Sequence, residues 1–568
     1  MSVVHDGTVA LSKGYGETSF DGAAVTATET PVQTGSVSKL ITFTAAMGLV
    51  DRDEIDPDVD VTEYLESVSI PDAYDEPITL AHLATHTPGF EIRARNDTVS
   101  DRNHRQPLEE AVGSYQPARI HPPGELKGYT NYAAALTGQL VADVSGSSFE
   151  AYARREIFDP LGMDRSTFAP TPDHLDPDTR DALATELPWH SNVPPASGFW
   201  STGADMARFM LAHLEGGRTD SGRMLSEAAT EEMHRQWFTP HEKLGGMAFG
   251  FFERTRDDVR LLTHSGEGPA YGSQLVLVPE LDLGLFVSFQ GRQTGNAVGS
   301  FRDAFLERYV PTGDEALTPD GRPERADELE GTYRALQIYE STTYEKLLLS
   351  TYSSDREVWI EDDGTLVMDT GSVSRWVEIE PLVFRRVDGQ RTLVFHEEGG
   401  EITALSIGGA GSAYVPISRL DDVTVQARLA IGASIVALSG VLGWPLAAAV
   451  RRYRGVARSS AGPARRARLA AGAAGGLLFG FVAAFVVAAL FTSILDGPSL
   501  IDRPPRGFGL VFGLSIAGTV ATLAAAGYAV LAWREKFWTL AARLHYTAVV
   551  GSLAVLVWVF RYWNLLWP

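Results

Sequence analysis

The chain has 568 residues, with 48 Lys+Arg against 72 Asp+Glu, no Cys, and a formal net charge of -24. That length holds three or four domains and a large buried core. The lack of Cys excludes disulfides, Cys-ligated zinc, iron–sulfur clusters and thiol nucleophiles, while the acidity argues against nucleic acid, which needs clustered Lys and Arg. A mean hydropathy of -0.05 suggests an ordinary soluble protein, but it averages two unlike parts. Residues 1–427 carry 34 Lys+Arg and 69 Asp+Glu, a net -35; residues 428–568 carry 14 and three, a net +11.

The first element starts at once. Met1-Ser2-Val3-Val4-His5-Asp6-Gly7 has no charged-then-apolar leader, and Asp6-Gly7 between apolar runs marks a hairpin turn. If the front part is exported, a leader and a first helix are expected upstream of this sequence. The alternative is a leaderless chain with a cytoplasmic front part.

Gly35-Ser36-Val37-Ser38-Lys39 then opens an apolar helical run through Met47. Positions i and i+3 share a helix face, so the Ser36 hydroxyl and the Lys39 amine can touch. The helix N-terminus offers free N–H groups to a developing oxyanion, and a desolvated, neutral Lys can activate Ser. S-x-x-K by itself is weak, and a Ser cap beside a solvated Lys is the plainer reading. Next come Tyr129-Thr130-Asn131-Tyr132, after Pro122-Pro123-Gly124, leading into the helical stretch Ala133–Ala142. A phenol near Lys can shuttle a proton, and the Asn amide can orient both Lys and a substrate amide; a turn with an Asn cap is the plainer alternative. Thr263-His264-Ser265-Gly266 precedes the strand-like Gln274–Val278 and Leu283–Phe289. Gly there permits close strand approach and exposed edge amides, though a single His is more often structural.

Taken in order, S-x-x-K, Y-x-N and H-x-G resemble the serine β-lactamase and penicillin-binding-protein superfamily, in its class C β-lactamase-like branch. Further stretches fall in the same order: Leu83-Ala84-Thr85-His86-Thr87-Pro88-Gly89, with Pro88 where the family has Ser; Phe158-Asp159-Pro160-Leu161-Gly162-Met163; and Ser197-Gly198-Phe199-Trp200-Ser201-Thr202-Gly203-Ala204-Asp205. His86 and Asp205 are read as structural, and Thr202 and Asp205 have helix-capping spacing. The resemblance implies an α/β (α+β) β-lactamase/transpeptidase-like fold, a helical subdomain on an antiparallel sheet, with the site at their junction. It implies Ser36 as acyl-forming nucleophile, Lys39 and Tyr129 as the base system, and Asn131, His264, Gly266 and Glu267 as substrate-binding residues. The oxyanion hole is then formed by the backbone N–H of Ser36 and that of Glu267. His264 replaces the Lys of the family's K-T-G and Ser265 its Thr. A His is mostly neutral at pH 7, which favours a broader esterase, D-peptidase or amidase over a dedicated antibiotic-destroying enzyme.

Pro311–Arg325 is polar and Pro/Gly-containing, a linker between a hydrolase domain at 1–312 and a small β-rich domain at 326–420. Short alternating runs such as Glu357–Glu361, Thr365–Met368 and Thr392–Phe395 read as its strands, and the module resembles the C-terminal extension of many such hydrolases. Residues 428–568 then hold four apolar runs, about 429–450, 469–495, 507–533 and 544–562. Each approaches the roughly 20 residues that a bilayer span requires, and Trp563 and Trp567 suit an interfacial belt. Seven arginines from Arg451 to Arg468 follow the first run, and Arg534, Lys536 and Arg543 follow the third, while Asp496–Arg506 between them balances two Arg with two Asp. The positive-inside rule then puts the front part and the C-terminus outside the cytoplasm.

Other chemistries find no footing. Gly513-Leu514-Ser515-Ile516-Ala517 fails as a nucleophile elbow, and His241-Glu242 and His396-Glu397 lack the second His of a zinc site. No metal or cofactor is implied. The expected protein is a multi-pass membrane-anchored serine hydrolase that acts through an acyl-enzyme on a small-molecule or peptide ester or amide. A catalytically inactive, penicillin-binding-like ligand-binding or sensor membrane protein is the alternative. A transporter is disfavoured, because the spans contain almost no internal charge. Acids dispersed over the whole front part suit solubility in concentrated salt and imply a salt-adapted source.

Overall fold

The computed structural model describes residues 1–566 except 19–21, 115, 176, 187–188, 220–221, 292–293, 314–316, 342–344, 351–354, 370, 410, 456–461 and 495–506. Strands β1 (Ser2–His5) and β2 (Thr8–Ser12) form the hairpin expected at Asp6-Gly7, with φ of 47° and 67° at the two turn residues. The two-residue strands β3 (Val32–Gln33) and β6 (Trp200–Ser201) pair with each other, as do β4 (Thr98–Val99) with β5 (His190–Ser191) and β7 (Arg218–Thr219) with β8 (Gly222–Arg223). Four longer strands, β9 (Phe252–Arg256), β10 (Val259–Gly268), β11 (Tyr271–Val278) and β12 (Leu283–Gln290), complete an antiparallel six-stranded sheet in the order β2-β1-β12-β11-β10-β9.

The helix Ser38–Val50 is buried at every position but the last. Its sequence explains this, since SKLITFTAAMGLV is apolar or small all round, and such a helix belongs inside a domain. It packs against the helix Asn131–Ser145 and under the sheet within one apolar core that includes Phe43, Met47, Tyr132, Leu136, Phe209 and Leu275. The central helix and its neighbours thus carry Ser36 and Asn131 to the edge of the sheet.

Residues 331–416 close into an eight-stranded barrel, β13 (Gly331–Ala335), β14 (Arg356–Ile360), β15 (Leu366–Asp369), β16 (Val373–Glu380), β17 (Val383–Arg386), β18 (Thr392–Glu398), β19 (Glu401–Ile407) and β20 (Tyr414–Pro416), sealed by Arg334 pairing with Val415. Alternation supplies its filling: Tyr333, Trp376, Phe384, Phe395 and Leu405 are buried together. Closure removes both sheet edges. The barrel and the first 338 residues form one compact unit. Leu244 packs with Val383 and Val394 of the barrel, and the Lys243 amine lies 2.8 Å from a Glu380 carboxylate oxygen.

A second unit comprises residues 339–353 and 417–568. Four of its helices are long and apolar enough to cross a membrane: Val423–Tyr453, Pro463–Leu490, Gly509–Arg534 and Leu540–Tyr562. The first is interrupted at Leu442. Small residues bring them close: a methyl on Gly475 would lie 2.2 Å from a Val441 methyl, and one on Gly518 2.7 Å from Leu478. Trp567, Arg458 and the Asp496–Arg506 connection lie outside the described residues.

Candidate active site

A single 3-10 turn, Gly35–Val37, feeds the helix Ser38–Val50 and places Ser36 at its start. Gly35 has φ of 54°, and a side chain there would meet the Tyr271 ring and the Glu267 amide at 2.9 and 3.0 Å. Lys39, three residues on, lies back over that turn with its amine 3.0 Å from the Ser36 hydroxyl oxygen. Lys39 is fully buried. Its other two hydrogen bonds go to Asn131 Oδ1 at 2.9 Å and the Ala196 carbonyl at 2.8 Å. Three acceptors match the three donors of an ammonium. Burial nonetheless lowers its pKa to about 7, against the opposing pull of the Asp97 carboxylate. The amine can therefore shed a proton near neutrality.

Asn131 begins the helix Asn131–Ser145, whose N-cap is Thr130, the Thr130 hydroxyl accepting from the Tyr132 amide. The Asn131 side chain is fixed at both ends. Its oxygen accepts from Lys39, and its nitrogen donates to Asp97 Oδ2 at 3.1 Å. Arg93 in turn donates to the other Asp97 oxygen at 3.2 Å. A carboxylate can only accept, so Asp97 dictates which end of the amide faces Lys39.

Tyr129 stands beside them, its phenol near enough to Ser36 to interact with it and held above its ordinary pKa by burial. The Lys39 amine lies 4.9 Å from its ring centroid. The backbone of Tyr129 is tied to the barrel: its amide donates to the Ser412 hydroxyl at 3.1 Å, Gly128 bridges to Ser412, and the Ala413 amide donates to the Lys127 carbonyl at 2.8 Å.

Strand β10 forms the facing wall. A methyl on Gly266 would collide with the Thr34 carbonyl at 1.9 Å and reach within 2.9 Å of the Ser36 amide nitrogen. Only glycine lets the strand pass this close. His264 is buried and uncharged; burial, reinforced by the Lys39 charge, lowers its pKa to about 3. Its Nδ1 faces the Ser265 carbonyl at 2.8 Å and Nε2 has no partner among the described residues. Its ring packs near Phe252 and Tyr129. Ser36, Asn131 and Glu267 line a cavity of about 240 Å³, together with Arg105, Trp189 and Tyr271. His264 does not line it.

The residues singled out in the sequence therefore converge: Ser36, Asn131 and Glu267 line the cavity, and Lys39, Tyr129, His264 and Gly266 stand behind them. His86 is fully buried and packs on Tyr129 with ring centroids 4.4 Å apart. Asp205 accepts from the Arg165 amide at 3.0 Å and the Ser166 hydroxyl at 2.9 Å, while the Thr202 hydroxyl caps the helix by accepting from the Asp205 amide at 3.2 Å. Sequence reasoning missed Asp97, the Ala196 carbonyl, Ser412, Arg105, Trp189 and Tyr271. No motif marks them, because each reaches the site through contacts distant in sequence. Among the described residues, no group of three or more His, Asp or Glu is arranged to hold a metal ion.

A family model described as Beta-lactamase matches residues 1–306. The D-alanyl-D-alanine-carboxypeptidase/endopeptidase AmpH of Escherichia coli is 24% identical over 301 residues, covering 50% of this chain and 77% of AmpH. Penicillin-binding protein 4 of Amycolatopsis lactamdurans is 27% identical over 339 residues, covering 55% and 86%. Among solved structures, SurE with D-Leu aligns with a TM-score of 0.50 at 21% identity, covering 73% of this chain and 94% of that one.

Proposed function

The chain belongs to the Beta-lactamase family, and on that basis we propose that it is a serine hydrolase that cleaves an ester or amide through an acyl-enzyme on Ser36. The observation that carries this reading is the contact of Lys39 with Ser36, 3.0 Å long, with an amine whose pKa is brought to about 7 by burial.

In the proposed cycle, neutral Lys39, assisted by the Tyr129 phenol, takes the Ser36 hydroxyl proton as Oγ bonds to the substrate carbonyl carbon. The carbonyl π pair moves onto oxygen, where the amides of Ser36 and Glu267 receive it. Collapse expels the alcohol or amine, which takes the proton back from the Lys39–Tyr129 pair. Water then adds to the acyl group by the same route, releasing the acid and regenerating Ser36. Asn131 holds Lys39 and presents its face to the cavity.

The cleft favours a broad esterase, amidase or D-peptidase. His264 is neutral, so it offers no permanent charge of the kind a K-T-G lysine supplies. In this reading the four apolar helices are the membrane anchor, which their length and composition support, and the catalytic part lies outside the cytoplasm, which the arginine-rich connection after the first helix supports. Protection of the front part from protease in intact cells would contradict that orientation.

The deciding experiment labels membranes with an active-site serine probe and measures ester turnover in wild type and Ser36→Ala. Labelling and turnover should both vanish in the variant. An unlabelled wild type points to a binding protein instead, and turnover that survives Ser36→Ala removes Ser36 from the nucleophile's role.

A further inference from the structure

Arg105 lines the same cavity as Ser36 and also a neighbouring cavity that Asp143 and Glu150 line, and among the described residues its guanidinium has no ion pair or hydrogen bond. Its neighbours differ. Arg102 lies 2.5 Å from Asp181 and Arg93 3.2 Å from Asp97. Glu150 is the acid whose field reaches Arg105, without closing to an ion pair, and burial lowers the Arg105 pKa. His190, on the same wall, is held neutral by burial and by the positive charges of Arg105 and Arg102.

The backbone around Arg105 is anchored on both sides. Thr98 pairs with Ser191 and Val99 with His190. The Gln106 amide donates to Asn192 Oδ1 at 2.8 Å, and the Asn192 amide nitrogen donates to Asn96 Oδ1 at 2.9 Å and Gln106 Oε1 at 3.1 Å. Asn192 is fully buried. A half-buried guanidinium left unpaired on this anchored backbone carries a desolvation cost that an anion entering the cavity would offset. A carboxylate matches its planar fork.

We propose that Arg105 is the anchor for a carboxylate on the substrate itself, so that the enzyme prefers esters and amides carrying an anionic group remote from the scissile carbonyl. The inference rests on the Ser36 hydrolase reading and names its substrate class. It puts the anion site on the wall built by β4 and β5 and not on strand β10, where His264 is neutral. The acidic exterior does not forbid this. Surface charges are screened over about 8–10 Å at physiological salt, whereas a bidentate contact in a pocket is not.

The test uses the full-length protein and a matched pair of substrates, the p-nitrophenyl monoester of glutaric acid and neutral p-nitrophenyl butyrate. Wild type should favour the anionic ester. Arg105→Gln should cut the ratio of the two kcat/KM values about 10- to 100-fold, mostly through KM, the range expected for one charge-assisted pair. Arg105→Lys should restore part of it. An unchanged ratio in Arg105→Gln with Ser36-dependent turnover overturns the anchor and leaves the hydrolase reading standing. Calorimetric binding of monomethyl glutarate and methyl butyrate to Ser36→Ala separates the other case. A preference there that disappears with Arg105→Gln upholds the anchor even if neither ester turns over, and equal binding overturns it.

Discussion

At the scale of single residues, the site turns on a contest over one proton. Burial disfavours the charged form of Lys39, while three acceptors and the Asp97 carboxylate favour it. The balance leaves a pKa of about 7, so the fraction of active base should grow tenfold per pH step below that value and level off above it. The kcat/KM profile of the wild type is expected to rise with a midpoint near pH 7. Asp97→Asn keeps an acceptor for the Asn131 amide but removes the charge that raises the Lys39 pKa. Its midpoint should therefore fall to lower pH, and an unmoved midpoint would separate Asp97 from Lys39. Ser36 and Lys39 were legible in the sequence because one helical turn joins them. Asp97 was not, since it meets Asn131 across 34 residues of chain and sits in no periodic pattern.

Elements add constraints that no single residue holds. Strand β10 passes the Gly35–Val37 turn so closely that Gly266→Ala must push it away from Thr34 and the Ser36 amide. That variant should stay folded, judged by circular dichroism, while kcat drops at least 10²-fold, the loss expected for a displaced oxyanion donor. The barrel enters the site through Ser412, which accepts from the Tyr129 amide. Ser412→Ala leaves that half-buried donor unpaired, at about 1–3 kcal/mol. A several-fold fall in kcat with KM little changed is the expected reading of a shifted Tyr129; unaltered kinetics would confine the contact to structure. The barrel strands were visible as alternating runs. Closure was not, because it depends on β13 pairing with β20, about 80 residues away.

For the whole molecule, charge and buried histidine set the response to solvent. Residues 1–427 carry a net -35 with the acids spread throughout, so self-repulsion should weaken the fold as salt is withdrawn. Melting temperature and activity should both rise with ionic strength, and full activity in salt-free buffer would refute the salt-adapted reading. Acid acts through buried imidazoles. His234 is lowered to about 4 and His264 to about 3, and His86 and His213 also lie well below 6.5, in each case chiefly by desolvation. Between pH 6.5 and the folded values the unfolded chain binds more protons, so stability is present above 6.5 and lost as pH falls. Denaturant midpoints should drop between pH 7 and pH 4, with an unfolding free energy lower by on the order of several kcal/mol in total.

The sequence by itself determined what depends on near neighbours along the chain. The split into an acidic part and an apolar, arginine-bearing part, the four long apolar helices, and the Ser36–Lys39, Tyr129–Asn131 and His264–Gly266 pairs all follow from local composition and spacing. The tertiary structure decided what depends on desolvation and on contacts between remote segments. It brought the Lys39 pKa to about 7 and kept His264 neutral by burial, carried Asp97 to Asn131 and Ser412 to Tyr129, and left Arg105 without a partner among the described residues. A pKa or an open pocket is a property of the burial around a group, and burial is assembled from the entire fold.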